Sequence, residues 1–323
     1  MSNHPIGRSA TIIGAGPAGL SCARSLQSAG WDVIIFDKGR GPGGRLSTRR
    51  SDIGPFDHGA PFFTAEHPTF CAAVHQWQAE GVVASWGKDP TTNAPRFVGH
   101  PSMNAFIKAE ALSLGVQYGV HIAPLSNRTE TGWVIETKTG EAIGRSDVVV
   151  VATPAEQSAA LLQLASPPLA TVARAVRSAP RWTVMAGFEG PVSLPDDLLT
   201  DCGNTIDLAI RDSAKPGRPA GERWVLHGTA PWSEAMLETD MTVIGEMMIT
   251  AFEERVGPLP PLNHLSAHRW RYALTTTPTG QPFGFDEKML IGTCGNWRLG
   301  AAVEDAWMSG HALAAELIQR PYP

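Results

Sequence analysis

The sequence predicts an α/β fold in which a β-rich second domain is interleaved with the first. Three observations carry this. A glycine-rich turn joins a short apolar run to a helical pattern within the first thirty-odd residues. Fully apolar runs return far along the chain, at Val148–Val151 and Met289–Gly292, where they read as buried strands. Between them, from Pro180 to Leu226, the pattern turns all-β with Pro/Gly loops.

The elements follow in order. Ala10–Ile13 is the first strand, and Leu20, Ala23 and Leu26 mark one face of the next helix, which Gly30 ends. Val33–Phe36 is a second buried strand, closed by Asp37. Phe70, Val74 and Trp77 space a helix, Gly87–Pro95 reads as a polar loop, and Met103–Leu114 as a helix. Val116–Ile122, Gly132–Thr137 and Val148–Val151 read as strands, and Ala155–Leu164 as a helix. Trp182–Phe188 and Trp224–Leu226 are strands of the β-rich segment, with Ser213–Glu222 as a turn-rich link. Val243–Val256 is a helix stopped by Gly257-Pro258, Leu265–Tyr272 a strand, and Val303–Ile318 the last helix.

Composition narrows the function classes. With 323 residues, 43% of them hydrophobic and only 18% charged, the chain suits two globular domains, not disorder. Its 33 glycines have no three-residue period, so they belong in ordered loops. Net charge is −5, and no Lys/Arg block exists beyond Arg49-Arg50, which argues against nucleic acid as a partner. No apolar stretch approaches membrane-span length, and glycine and proline interrupt the N-terminus before any signal h-region forms. Cys22, Cys71, Cys202 and Cys294 are far apart without metal-ligand spacing. The expectation is a cytoplasmic chain with reduced thiols and no metal; oligomeric state is left open.

The first glycines carry chemistry. Gly14, Ala15, Gly16, Pro17, Ala18 and Gly19 fit G-x-G-x-x-G between a strand and a helix, with Asp37 and Lys38 about twenty residues on. Gly14 permits the tight turn, Gly16 lets backbone approach a pyrophosphate, and Gly19 lets helix and strand pack closely. The helix N-terminus supplies N–H groups for phosphates, and Asp37 would accept from ribose hydroxyls.

Two further segments resemble the amine-oxidase-like FAD superfamily. Arg40-Gly41-Pro42-Gly43-Gly44-Arg45 is similar to its R-x-G-G-R segment, which implies arginine contacts to the pyrophosphate. Ile291-Gly292-Thr293-Cys294-Gly295-Asn296, then Gly300 to Glu304, resembles its closing FAD motif. There an Asp binds the ribitol chain, and the next helix N-terminus, here at Val303, faces the flavin and favours its reduced anion. This chain has Asn296 in place of the Asp.

Inner segments narrow the resemblance. They are Asp57–Ala65, Lys215–Arg218, Trp224–His227, Ser266–Tyr272 and Glu304–Trp307. Together they look like the bacterial renalase-like FAD oxidoreductases. The resemblance implies an α/β fold: a Rossmann-type FAD-binding domain with an interleaved α+β substrate domain containing an antiparallel sheet. It implies noncovalent FAD, a dihydronicotinamide-type small-molecule substrate, and dioxygen as acceptor, giving hydrogen peroxide. Gly59 and Ala60 would lie by the flavin, but the family's following Gln-Tyr is here Pro61-Phe62, which removes two polar groups and can redirect specificity. The expected boundaries are 1–60, 100–158 and 274–323 for the FAD domain, and 61–99 with 159–273 for the substrate domain.

The catalytic candidates are His268, His227, Phe62 and Trp297. Either histidine could orient substrate or serve as a hydrogen-bonded structural residue. Phe62 belongs to a set of aromatics able to cage a flat ring, and Trp297 follows Asn296. Arg269 and Arg271 could attract a phosphate or simply face solvent. Two alternatives stay open: an amine-oxidase or desaturase-like flavoenzyme with a different substrate, and a nonenzymatic FAD- or nucleotide-binding protein.

Overall fold

The computed structural model describes residues 8–89 and 92–320. Residues 1–7 of the segment read as lacking a leader, and 90–91 of the expected polar loop, lie outside the described residues. The chain folds as two units: Met1–Gly44 with Ile107–Arg177 and Thr275–Pro323, and Arg45–Phe106 with Ser178–Leu274. Residues 45–60 and 100–106 thus pack in the second unit, and 159–177 in the first.

In the first unit the opening strand, Ser9–Ile13, pairs in parallel on both sides. Ile12 lies opposite Ile35 of Asp32–Asp37 and opposite Val150 of Val148–Val151. Parallel pairing needs a crossover, which the opening helix Pro17–Ser28 supplies. Ile291–Thr293 and Gln117–Tyr118 extend the parallel sheet, and Gly284–Asp286 adds an antiparallel edge. Both faces are covered, which is why Val148–Val151 is apolar throughout and wholly buried. Trp133 and Ile135 of a small antiparallel sheet, with Leu162 and Leu169 of two helices, pack on one side. The closing helix Val303–Gln319 seats Leu313 against Gly292 and packs Gly310 on the opening helix at Ala18.

Several elements depart from the expectation. Val116–Ile122 shortens to the strand Gln117–Tyr118, because Gly119 takes φ +74° and turns the chain, leaving Ile122 as an isolated bridge to Thr137. The helix Pro167–Ala175 and the strands Ala142–Ser146, Leu198–Cys202 and Ile206–Arg211 were not anticipated. At the two ends of the expected loop, the strands Val83–Lys88 and Pro95–Gly99 pair antiparallel and take in residues 87, 88 and 95.

The second unit is built on a five-stranded sheet, in the order Leu198–Cys202, Ile206–Arg211, Glu222–Gly228, Arg177–Phe188, Leu262–Thr277. The first four pair antiparallel. Strand alternation divides its residues. Trp182, Val184, Ala186 and Phe188 join Trp224 and Leu226 on one face, against Ile244, Met248 and Phe252 of the helix Met241–Val256. That helix is N-capped by Asp240, which accepts from Thr242 N–H at 2.8 Å, and ends at Gly257 with φ +88°. The other face carries Thr183, Met185, Val225, His227, His264, His268 and Trp270. Phe56 packs on Met185 and Val225 there.

Candidate functional site

The opening turn has the shape its glycines predict. Gly14 takes φ +111°, and a Cβ there would sit 2.6 Å from Ala152 O. A Cβ on Gly19 would lie 1.9 Å from Gly14 O, so only glycine lets this helix approach its strand. Around Gly16 the space is open, with nothing within 4 Å of a Cβ. Gly16 is the N-cap of the opening helix and contributes no side-chain cap, which leaves first-turn N–H groups for an anion. Asp37 is oriented by two backbone donors, Ala15 N–H to Oδ2 at 2.7 Å and Gly39 N–H to Oδ1 at 2.6 Å. Each oxygen keeps a second lone pair for a hydroxyl donor. Lys38 follows at the strand end.

The closing segment meets this turn through Thr153. Its Cγ2 would lie 3.3 Å from a Cβ on Gly14, and its carbonyl 3.6 Å from one on Gly295. Asn296 is buried, with Nδ2 donating to Thr275 Oγ1 at 3.4 Å. Trp297 is 1% exposed, packs on Ala155, Ala159, Ala173 and Val176, and donates Nε1–H to Thr153 O at 3.0 Å. The ring packs in this small cluster and its only donor is committed to Thr153. The N-terminus of the helix beginning at Val303 is also less positive than expected. Asp305 Oδ2 accepts from Ala302 N–H at 2.8 Å, and Glu304 adds a second carboxylate to the first turn. Cys294 is buried, and burial pushes its thiol up to about 12, an unreactive state.

In the second unit, backbone meets backbone at the paired segments 45–46 and 59–60. Ala60 N–H donates to Arg45 O at 2.8 Å, and a Cβ on Gly59 would lie 2.0 Å from that oxygen. Arg45 directs Nη1 to Ala273 O at 3.3 Å, so part of its guanidinium serves the sheet edge, not a phosphate. Gly43 and Gly44, at φ +130° and +51°, form the turn before it.

His268 lies in a ring cluster on the sheet face. Its centroid is 4.9 Å from His58 and 4.4 Å from Trp270, both edge-on, while His58 stacks on Trp270 at 5.2 Å. Trp270 Nε1–H donates to His58 O at 2.9 Å, which locks that ring. Arg49 Nη2 contacts His268 Nδ1 at 3.3 Å. Burial, then the neighbouring His268 and Arg49 charges, lowers His58 to about 3; burial and Arg49 lower His268 to about 4. Both rings are neutral at pH 7. Because Arg49 can only donate, His268 Nδ1 accepts and its proton resides on Nε2.

Among the described residues the other candidates make no ring contact with this cluster, though His227 is near enough to feel the His58 charge. His227 is 2% exposed, with Nδ1 3.1 Å from Thr183 Oγ1, and burial holds it well below the ordinary imidazole range. His227 Nδ1 is thus engaged with Thr183, while its buried Nε2 has no hydrogen-bond partner among the described residues. Phe62 is half-buried beside Trp86 at 6.5 Å, and Arg96 lies over both rings at 5.2 and 4.4 Å. Among the described residues no ring contact joins Phe62 to His268. Arg269 and Arg271 both pair with Glu238.

Sequence reasoning missed a buried ion network. Lys215 Nζ pairs with Asp212 at 2.6 Å and Asp57 at 3.2 Å, and Arg218 pairs with Asp57. Asp57 Oδ1 also accepts from Met103 N–H at 2.9 Å and Thr48 Oγ1 at 2.7 Å. Burial would raise the Asp57 carboxyl, but Lys215 and Arg218 outweigh it and hold it well below the usual carboxylate range. The network fixes the Asp57 side chain, next to His58, by four polar contacts from three segments. Its charged residues sat in plain view at Asp57, Lys215 and Arg218, but spacing alone could not pair them across about 160 positions. Arg49 was also passed over, noted only as half of the single basic pair.

Known proteins place this geometry. The NAD(P)-binding Rossmann-like domain family matches residues 12–76. A stretch of 59 residues is 41% identical to the zeta-carotene-forming phytoene desaturase of Myxococcus xanthus, covering 18% of this chain and 11% of that protein. The matched stretches span only 3% and 11% of the first curated relatives. Among solved structures, a candidate protoporphyrinogen oxidase from Exiguobacterium sp. 255-15 superposes with TM-score 0.76 at 11% identity, over 98% of this chain and 99% of that one. Cyclohexylamine oxidase from Brevibacterium oxydans IH-35A gives 0.73 at 12% identity, over 97% and 99%. The chain therefore shares the fold of these solved oxidases: a Rossmann-like domain interleaved in sequence with a domain built on an antiparallel sheet.

Proposed function

We propose that this chain is an FAD-dependent oxidoreductase of the amine-oxidase type, acting on a small-molecule substrate with dioxygen as acceptor. The observation that carries it is the dinucleotide cradle: closed where Gly14 and Gly19 pack, open at Gly16, and bordered by the clamped Asp37. When bound, FAD supplies the electron acceptor, taking a hydride from a substrate C–H and passing two electrons to dioxygen, released as hydrogen peroxide. Gly16 and the first helical turn would hold its pyrophosphate, Asp37 its ribose, and Asn296 the ribitol chain by a neutral hydrogen bond. The FAD would be noncovalent, consistent with the unreactive Cys294 thiol. His268 would offer Nε2–H to the substrate, and the locked Trp270 ring would support a flat group.

Two substrate readings divide this class. The fold likeness to oxidases and the desaturase match favour an amine or a desaturable carbon chain. The ordered segments from Asp57 to Trp307 favour a renalase-like dihydronicotinamide.

Purified protein should be yellow and release FAD on heating. Anaerobic mixing with dihydronicotinamide isomers and with primary amines should bleach the flavin in one arm, and readmitted air should yield peroxide. A colourless protein that takes up no FAD overturns the proposal. A yellow protein that no substrate bleaches supports a nonenzymatic FAD-binding role instead.

A further inference from the structure

We infer that the sheet face around Arg49, His268 and Trp270 takes a flat-ringed ligand bearing a carboxylate or phosphate, and rejects an ammonium. The inference rests on the proposed function only for the ligand's being the substrate.

The argument begins with an uncompensated charge. Arg49 is half-buried, and among the described residues it has no carboxylate within ion-pair range; its polar contact is His268 Nδ1. Asp52, three residues on, is exposed and makes no ion pair with Arg49, and other acids of this unit are engaged elsewhere. Glu238 is held by Arg269 and Arg271, Asp57 by Lys215 and Arg218, and Asp212 by Lys215. The two imidazoles beside Arg49 are neutral at pH 7, so they leave its charge in place without adding to it. Arginine presents five N–H donors in a planar fork that suits carboxylate and phosphate, and one of its amino groups is committed here.

Donors around the site agree with that charge. With Nδ1 accepting from Arg49, His268 turns an Nε2–H donor outward from the pair. Its neighbour on the same strand face, Trp270, is half-buried and cannot swing, since Nε1 is bound to His58 O. The arrangement is a fixed aromatic ring beside a guanidinium and an imidazole N–H: one stacking surface and donors only. An ammonium would find a donor-only set and a like charge.

The test uses calorimetric titration of the FAD-loaded protein with three probes on one ring: benzoate, phenyl phosphate and benzylamine. At least one anion should bind tenfold or more tightly than benzylamine, and the tighter of the two identifies carboxylate or phosphate as the recognised group. Arg49→Met should weaken anion binding at least tenfold with FAD content unchanged. Arg49→Lys should fall between, keeping charge but losing the fork. His268→Phe should weaken it severalfold by removing the second donor, and decides the matter if Arg49→Met does not fold. Benzylamine binding as tightly as both anions, or anion affinity unmoved in Arg49→Met or in His268→Phe, would overturn the inference. A yellow, bleachable protein that ignores both anions sinks this inference and leaves the oxidoreductase reading standing; a protein without FAD does the reverse.

Discussion

Asp57 and His58 are neighbours with opposite electrostatic needs. Asp57 is buried yet charged, because Lys215 and Arg218 neutralise it; His58 is buried and neutral, because burial and the cationic neighbours outweigh Asp57 and the Phe56 carbonyl. Breaking one partner of a buried ion set costs about 3–5 kcal/mol, so Asp57→Asn should lose that much stability in a denaturant titration. The histidines set the acid limit. A free imidazole takes its proton near pH 6.5, whereas folded His268 and His58 wait until about 4 and 3. The unfolded chain therefore binds those protons first. Their contribution to stability is complete above pH 6.5 and is lost as pH falls towards 4 and then 3. Thermal melts across that range should show a shallower fall for His268→Phe, by at most one proton. At this scale the sequence pointed to Asp37 and the glycines, because their role depends on neighbours a few residues away. It pointed poorly to Arg49 and Trp297, because whether a long side chain meets a ligand or a core wall is settled by distant partners.

Among the elements, the closing helix shows how little room backbone packing leaves. A Cβ on Gly310 would lie 1.9 Å from Ala18 O on the opening helix. Gly310→Val should cost about 1–3 kcal/mol or more from overpacking, and should weaken FAD retention, read as flavin lost on dilution. Apolar strands and helix ends were legible because burial on both faces writes continuous runs and a helix stop writes Gly257. The strands Leu198–Cys202 and Ile206–Arg211 were not, since Thr200, Asp201 and Asp207 break their apolar runs in the sequence. The helix Pro167–Ala175 was hidden by its two prolines, which read as loop but sit in the first turn, where no N–H is needed.

Over the whole molecule, the interleaving was legible because strand runs of one sheet stand far apart in sequence, and the register of Ile291–Thr293 beside Val148–Val151 bears that out. The exact crossing points were not, because they fall inside regular elements. The chain changes unit within the helix Ala105–Ser113 and within the strands Arg177–Phe188 and Leu262–Thr277, so no loop punctuates them. The seat of Gly310 on Ala18 has a consequence for biosynthesis. On the ribosome the opening helix emerges about 290 residues before the helix that covers it is complete. At roughly 5–20 residues per second, that is a wait of about 15–60 s with Ala18 and its neighbours uncovered. The opening helix therefore reaches its packed form only after the closing helix has been made, so a slow or interrupted synthesis of residues 303–319 would delay the completion of the turn it carries.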